Sequence, residues 1–78
     1  IENYNPDVKL YPNPTNGRIY IDIGNYQKEF TVEVYDIAGK LILISSAQNI
    51  DISKHERGTY LFKIIYGDRS KTIRVVKH

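Results

Sequence analysis

Apolar and polar residues alternate with a period of two along most of this chain, and no stretch longer than a turn keeps the three-and-four spacing of an amphipathic helix. Successive side chains on a strand point to opposite faces, so the pattern calls for strands with one buried face and excludes a helical bundle. Ile19, Ile21 and Ile23 make one such face, opposite Arg18, Tyr20 and Asp22. Phe30, Val32 and Val34 make a second, Leu41 and Leu43 a third, and Tyr60, Phe62, Ile64 and Tyr66 the longest. Val8 to Tyr11, Asn49 to Ile52 and the basic stretch after Asp68 supply the remaining short strands.

Turn chemistry divides these runs into about seven strands. Asp36-Ile37-Ala38-Gly39 suits a type I turn with Gly39 at positive φ. That turn is expected to set Val34 opposite Leu41, Val32 opposite Leu43 and Phe30 opposite Ser45, leaving Ile42 and Ile44 on a face that needs partial cover. Gly67-Asp68, with glycine first, suits a two-residue type II′ hairpin, which places Phe62 opposite Ile73 and Tyr60 opposite Val75. Gly24 to Lys28 reads as a polar turn, and Ser53 to Gly58 as a polar corner. The fold class that follows is all-β, an immunoglobulin-like antiparallel β-sandwich, with a partly open barrel as the alternative.

The stretch LYPNPTNG, Leu10 to Gly17, carries two prolines two residues apart. Neither has an N–H, and each restricts the residue before it to extended conformations. Tyr11 to Pro14 is therefore expected to be a stiff, donor-poor edge segment, followed by a turn at Thr15, Asn16 and Gly17.

With 78 residues the chain is one domain, and a fold of this size buries only about 60% of the surface its unfolded chain exposes. It has no cysteine, which excludes a disulfide framework, a thiol nucleophile and a cysteine metal site while leaving the compartment open. No apolar run approaches membrane-spanning length, so membrane insertion is not expected. The first residue is Ile, with no leader pattern after it. Ile1 is read as a cut point inside a longer protein, residues 1–7 as the end of a polar linker, and residues 8–78 as the domain.

The net charge of +2 is too small to imply nucleic acid, but it is unevenly placed. Arg69, Lys71, Arg74 and Lys77 give the last ten residues four positive charges and no acid. Lysine and arginine along an edge strand prevent uncontrolled pairing, and they also suit an acidic partner. Strand alternation puts Arg74 on the face opposite Lys71 and Lys77.

Reactive groups are few. His55 and His78 are the two imidazoles, and His78, as the last residue, is expected to be poorly ordered. The serines at 45, 46, 53 and 70 have no glycine elbow, and no phosphate-binding loop or zincin spacing occurs. The carboxylates are scattered over turns and strand surfaces. No enzyme, cofactor or metal is expected.

Several landmarks in order resemble the C-terminal sorting domains of the type IX secretion system of Bacteroidota. They are LYPNP at Leu10, Tyr11, Pro12, Asn13 and Pro14 with the Gly17 turn, YDIAGKLI at Tyr35 to Ile42, IDIS at Ile50 to Ser53, GTY at Gly58 to Tyr60, and the basic ending VVKH. The resemblance covers the chain from Val8 onward. It implies an immunoglobulin-like sandwich that rides at the C-terminus of a cargo in the same chain, passes through the periplasm and directs export to the cell surface or the medium. It further implies type IX translocon components as partners, and a sortase-like surface protease that cuts in the linker upstream of Leu10. The residues expected to meet the translocon are Lys71, Arg74, Val75, Val76 and Lys77, with the turns at Gly39-Lys40 and Gly67-Asp68. One departure is Lys54-His55-Glu56-Arg57, where the family usually has an apolar residue and often a proline; that corner is expected to be more exposed. The alternative from another class is an immunoglobulin-like or fibronectin-like accessory module of a secreted glycanase, binding polysaccharide through exposed Tyr4, Tyr11, Tyr20 and Tyr26.

Overall fold

The alternating runs become strands where the alternation predicts them. The computed structural model describes residues 8–24, 26 and 28–78, and among them the strands are β1 (Lys9–Tyr11), β2 (Arg18–Asp22), β3 (Phe30–Asp36), β4 (Leu41–Ser45), β5 (Asn49–Asp51), β6 (Gly58–Tyr66) and β7 (Arg69–Lys77). The linker expected over residues 1–7 lies outside the described residues, as do Asn25 and Gln27 of the expected Gly24–Lys28 turn.

Two antiparallel sheets result, a three-stranded one ordered β1-β2-β5 and a four-stranded one ordered β4-β3-β6-β7. The fold is the expected small β-sandwich. Strand β4 joins the larger sheet, whereas in a constant immunoglobulin domain the fourth strand joins the first sheet. Between the sheets lie Ile19, Ile21, Ile50 and Ile52 from one side and Val32, Val34, Phe62, Ile64 and Val75 from the other. Each is essentially solvent-free, and full burial of an apolar side chain of this size contributes about 1.5–3 kcal/mol.

The β6–β7 hairpin has the expected register, with Phe62 opposite Ile73 and Tyr60 opposite Val75. Gly67 has φ 62°, and among the described residues no non-glycine has positive φ, which is the type II′ pattern.

The β3–β4 hairpin departs from its expected register. The turn itself is as anticipated: Gly39 has φ 90°, and its N–H donates to the Asp36 carbonyl at 3.0 Å. Pairing then shifts between Val34 and Tyr35, so that Tyr35 meets Leu41, Val34 meets Leu43 and Val32 meets Ser45. The cause lies in the segment Leu41-Ile42-Leu43-Ile44, four apolar residues in succession that strict alternation cannot serve. A β-bulge resolves the conflict by turning Ile42 and Leu43 toward the core, while Leu41 and Ile44 stay on the outer face at 42% and 57% exposure. Leu41 is thus not a core residue, and the expected cover over Ile44 is not present among the described residues.

The crossover from β5 to β6 is held by a device that alternation does not reveal. The Tyr60 hydroxyl donates to the Glu56 carbonyl four residues upstream, the tyrosine corner of immunoglobulin-like sandwiches. Its ring is buried, and that burial, followed by the nearby Glu56 and Asp36 carboxylates, raises the phenol above its ordinary value. Lys54, Glu56 and Arg57 of this corner are exposed, as the departure from the family pattern implied, while His55 is half-buried and its N–H donates to the Ile52 carbonyl at 3.0 Å.

Candidate functional site

Pro12 and Pro14 do not lie in an extended rod. Residues 12–14 bend, with the Tyr11–Pro12 and Asn13–Pro14 peptides both cis, and carry the chain from one sheet to the other. Strand β1 pairs antiparallel with β2, Leu10 opposite Ile21 and Tyr11 opposite Tyr20. Four residues after Tyr11, Thr15 pairs in parallel with Lys77 of β7. A chain leaving one ladder for another normally strands backbone donors between them; prolines have none to strand.

What the prolines omit, the residues beside them supply. The Asn13 side-chain amide donates from Nδ2 to the Arg74 carbonyl at 2.8 Å and accepts the Val76 N–H on Oδ1 at 3.0 Å. The Thr15 N–H donates to the Val76 carbonyl at 2.9 Å, and the Thr15 carbonyl accepts the His78 N–H at 2.9 Å. Outward-facing groups alternate along a strand, and these four lie among those that residues 74–78 turn away from β6, the Arg74 N–H being another. The free edge of the tail is therefore closed by a mixed ladder, half side chain and half backbone. Further up β7, the Lys71 Nζ donates to the Val8 carbonyl at 3.3 Å, so residues 8–15 follow residues 71–77 along their length. His78 is tied down by its N–H rather than left loose, as terminal position alone suggested.

Thr15 anchors this ladder to the core. It is 2% exposed, and its hydroxyl donates to the Arg18 carbonyl at 2.7 Å while accepting the Gly17 N–H at 2.9 Å. The Gly17 carbonyl in turn accepts the Ile52 N–H at 2.7 Å. Gly17 has φ 141°, and a Cβ there would stand 2.7 Å from the Ser53 Cα, so only glycine fits between the two backbones. A continuous chain of hydrogen bonds thus runs from the end of β5 through Gly17 and Thr15 to the last residue.

The residues expected to meet a partner divide into two groups. Arg74, Val75, Val76 and Lys77 lie together beside Asn13, and Gly58 and Tyr60 lie opposite Lys77 and Val75 on β6. Val75 is wholly buried and Arg74 and Val76 are exposed, which confirms that Arg74 faces away from Lys77. The Gly39-Lys40 turn is at this same end, because Asp36 is opposite Tyr60. Lys40, Ile42, His55, Arg57 and Tyr60 there border a shallow depression of about 430 Å³. Gly67-Asp68 sits at the opposite end of the nine-residue β6, about 25 Å away at strand rise, with Lys71 nearer to it than to the tail. One small contact cannot include both turns.

Among the described residues, the candidate tyrosines Tyr11, Tyr20 and Tyr26 do not form a row. Tyr11 and Tyr20 stand side by side on the outer face of the three-stranded sheet, ring centroids 5.5 Å apart and tilted by 46°. Tyr26 instead packs edge-on against Tyr66 at 5.5 Å, and Tyr4 lies outside the described residues. Among the described residues no group of three or more His, Cys, Asp or Glu side chains is gathered as for a metal ion, and no helix is long and apolar enough to cross a membrane.

Compared with known protein families, residues 9–78 match the family model described as "Secretion system C-terminal sorting domain". No curated protein matches the chain.

Proposed function

The chain belongs to the type IX secretion system C-terminal sorting domain family, a signal for export of its cargo across the outer membrane to the surface or the medium, and on that basis we propose how it acts. The domain is read in the periplasm by translocon components, and a sortase-like protease then cuts in the linker upstream of Leu10. In this reading the domain is the substrate of a protease and holds no catalytic group of its own. Recognition falls on the end of the sandwich that carries the tail: Arg74, Val76 and Lys77, with the Gly39-Lys40 turn. Gly67-Asp68, at the far end, is assigned to a second contact.

The observation that supports this most directly is the family match over residues 9–78, which spans both LYPNP and the terminal strand. The hydrogen-bond ladder that joins those two segments gives a physical reason for their occurrence together. The test is to place this chain at the C-terminus of a fluorescent protein in a type IX host and follow its location. Export to the surface or medium, lost when Val75 to His78 are deleted, is the expected result. Retention of the full fusion in the periplasm would overturn the sorting role, and normal export of the truncated fusion would overturn the tail as its essential part.

A further inference from the structure

An edge strand offers a partner two things to read, its unpaired backbone groups or its side chains. Over residues 74–78 the first is largely gone. Asn13 and Thr15 occupy the Arg74 carbonyl, both polar groups of the Val76 backbone and the His78 N–H. What the tail still shows is its outer face, where Arg74 and the exposed Val76 project beside Leu61 and Thr59 of β6.

We propose that Asn13 is the positioning residue of the sorting signal: its side-chain amide stands in for a neighbouring strand, locks the register of the tail, and presents Arg74 and Val76 as a side-chain surface for an acidic, partly apolar patch on the partner. This rests on the sorting role given above and names the part of the domain that is read. The chemistry of the amide is what suits it. Only a side chain with one donor and one acceptor, spaced as in a peptide group, can serve Arg74 and Val76 at once. The backbone of Pro12 and Pro14 could not do the same, since neither proline has an N–H to donate.

The experiment uses the fluorescent fusion in a type IX host together with the purified fusion protein. Asn13→Asp keeps the acceptor for the Val76 N–H and loses the donor to the Arg74 carbonyl, and Asn13→Ala loses both. Arg74→Glu reverses the displayed charge without touching the ladder, and Arg74→Lys keeps it. Hydrogen exchange at Val76 is expected to speed up about tenfold in Asn13→Ala and less in Asn13→Asp, with core amides such as that of Phe62 unchanged. Export is expected to fall about tenfold in Asn13→Ala and Arg74→Glu, and to stay near the parent level in Arg74→Lys.

Unchanged export in Asn13→Ala or in Arg74→Glu overturns the proposal, as does a fall in export of Asn13→Ala without faster exchange at Val76. If Asn13→Ala also lowers the melting temperature, Ile19→Val at a matched loss of stability decides the matter. Export retained in Ile19→Val supports a positioning role, and export lost there overturns it in favour of stability alone. Failure of the unmodified fusion to be exported is a separate result, which sinks the sorting role itself.

Discussion

Asn13 and Val76 are 63 positions apart in the chain, yet the Val76 N–H donates to the Asn13 side-chain oxygen at 3.0 Å. A residue near the start thereby completes the edge of the last strand. The bond is exposed, so its direct contribution to stability is about 0.5–1.5 kcal/mol, and its larger effect is on where the tail sits.

Thr15 carries more of the stability than Asn13. Thr15→Val preserves shape but leaves the Arg18 carbonyl and the Gly17 N–H without their hydroxyl partner in a site that is 2% exposed. A loss of about 1–3 kcal/mol is expected. Urea denaturation monitored by tyrosine fluorescence measures it, and an unchanged midpoint would mean that the hydroxyl bonds are not formed.

Two glycines with positive φ separate backbone strain from steric overlap. Gly17→Ala meets both, since its Cβ would stand 2.7 Å from the Ser53 Cα. Gly39→Ala meets only the first, with nothing within 4 Å of its Cβ. The expected costs are about 1 kcal/mol for Gly39→Ala and about 2–4 kcal/mol for Gly17→Ala, read from thermal unfolding of the two variants.

The bulge in β4 is tested by charge. Leu41→Lys sits on the outer face and is expected to change stability by no more than about 0.5 kcal/mol. Leu43→Lys faces the core opposite Val34 and is expected to cost about 2 kcal/mol or more. Equal costs would point back to the register in which both leucines face inward.

Among the described residues, three groups tie stability to pH. The Tyr60 phenol is raised by burial and by the Glu56 and Asp36 carboxylates, and the Tyr35 phenol is raised by its 2.6 Å hydrogen bond to Glu33. A raised pKa in the folded state means that their contribution is complete below the ordinary tyrosine value of 10.0 and is lost as pH climbs through the folded values. Asp51 is the opposite case, lowered by its hydrogen bonds from Ser53. Its contribution is complete above the ordinary value of 3.8 and is lost as pH falls through the lower folded value. Denaturation across pH should show the alkaline fall weakened in Tyr60→Phe and the acid fall weakened in Asp51→Asn, each at a lower starting stability.

Much of the sandwich follows from local patterns. Alternation alone places Ile19, Ile21, Val32, Val34, Phe62 and Ile64 in the core, because a strand's period of two is a property of adjacent residues. The hairpin at Gly67-Asp68 is equally local, since glycine at the first turn position selects type II′ and type II′ selects the register. The signature segments LYPNP and GTY are also visible as strings of residues, and they point to the family before any fold is known.

What those strings do was decided between distant residues. Nothing near Asn13 says that its amide will meet Arg74 and Val76, nothing near Tyr60 says that its hydroxyl will close a corner, and Leu41 to Ile44 can resolve their surplus of apolar residues in either direction until the opposing sheet is in place. The local chain therefore determined strands, turns and inward faces. Only packing of the two sheets settled the bulge, the crossing at Pro12 to Pro14 and the ordering of His78, because a hydrogen bond between residues some sixty positions apart depends on where the fold brings them and leaves no trace in either one's neighbours.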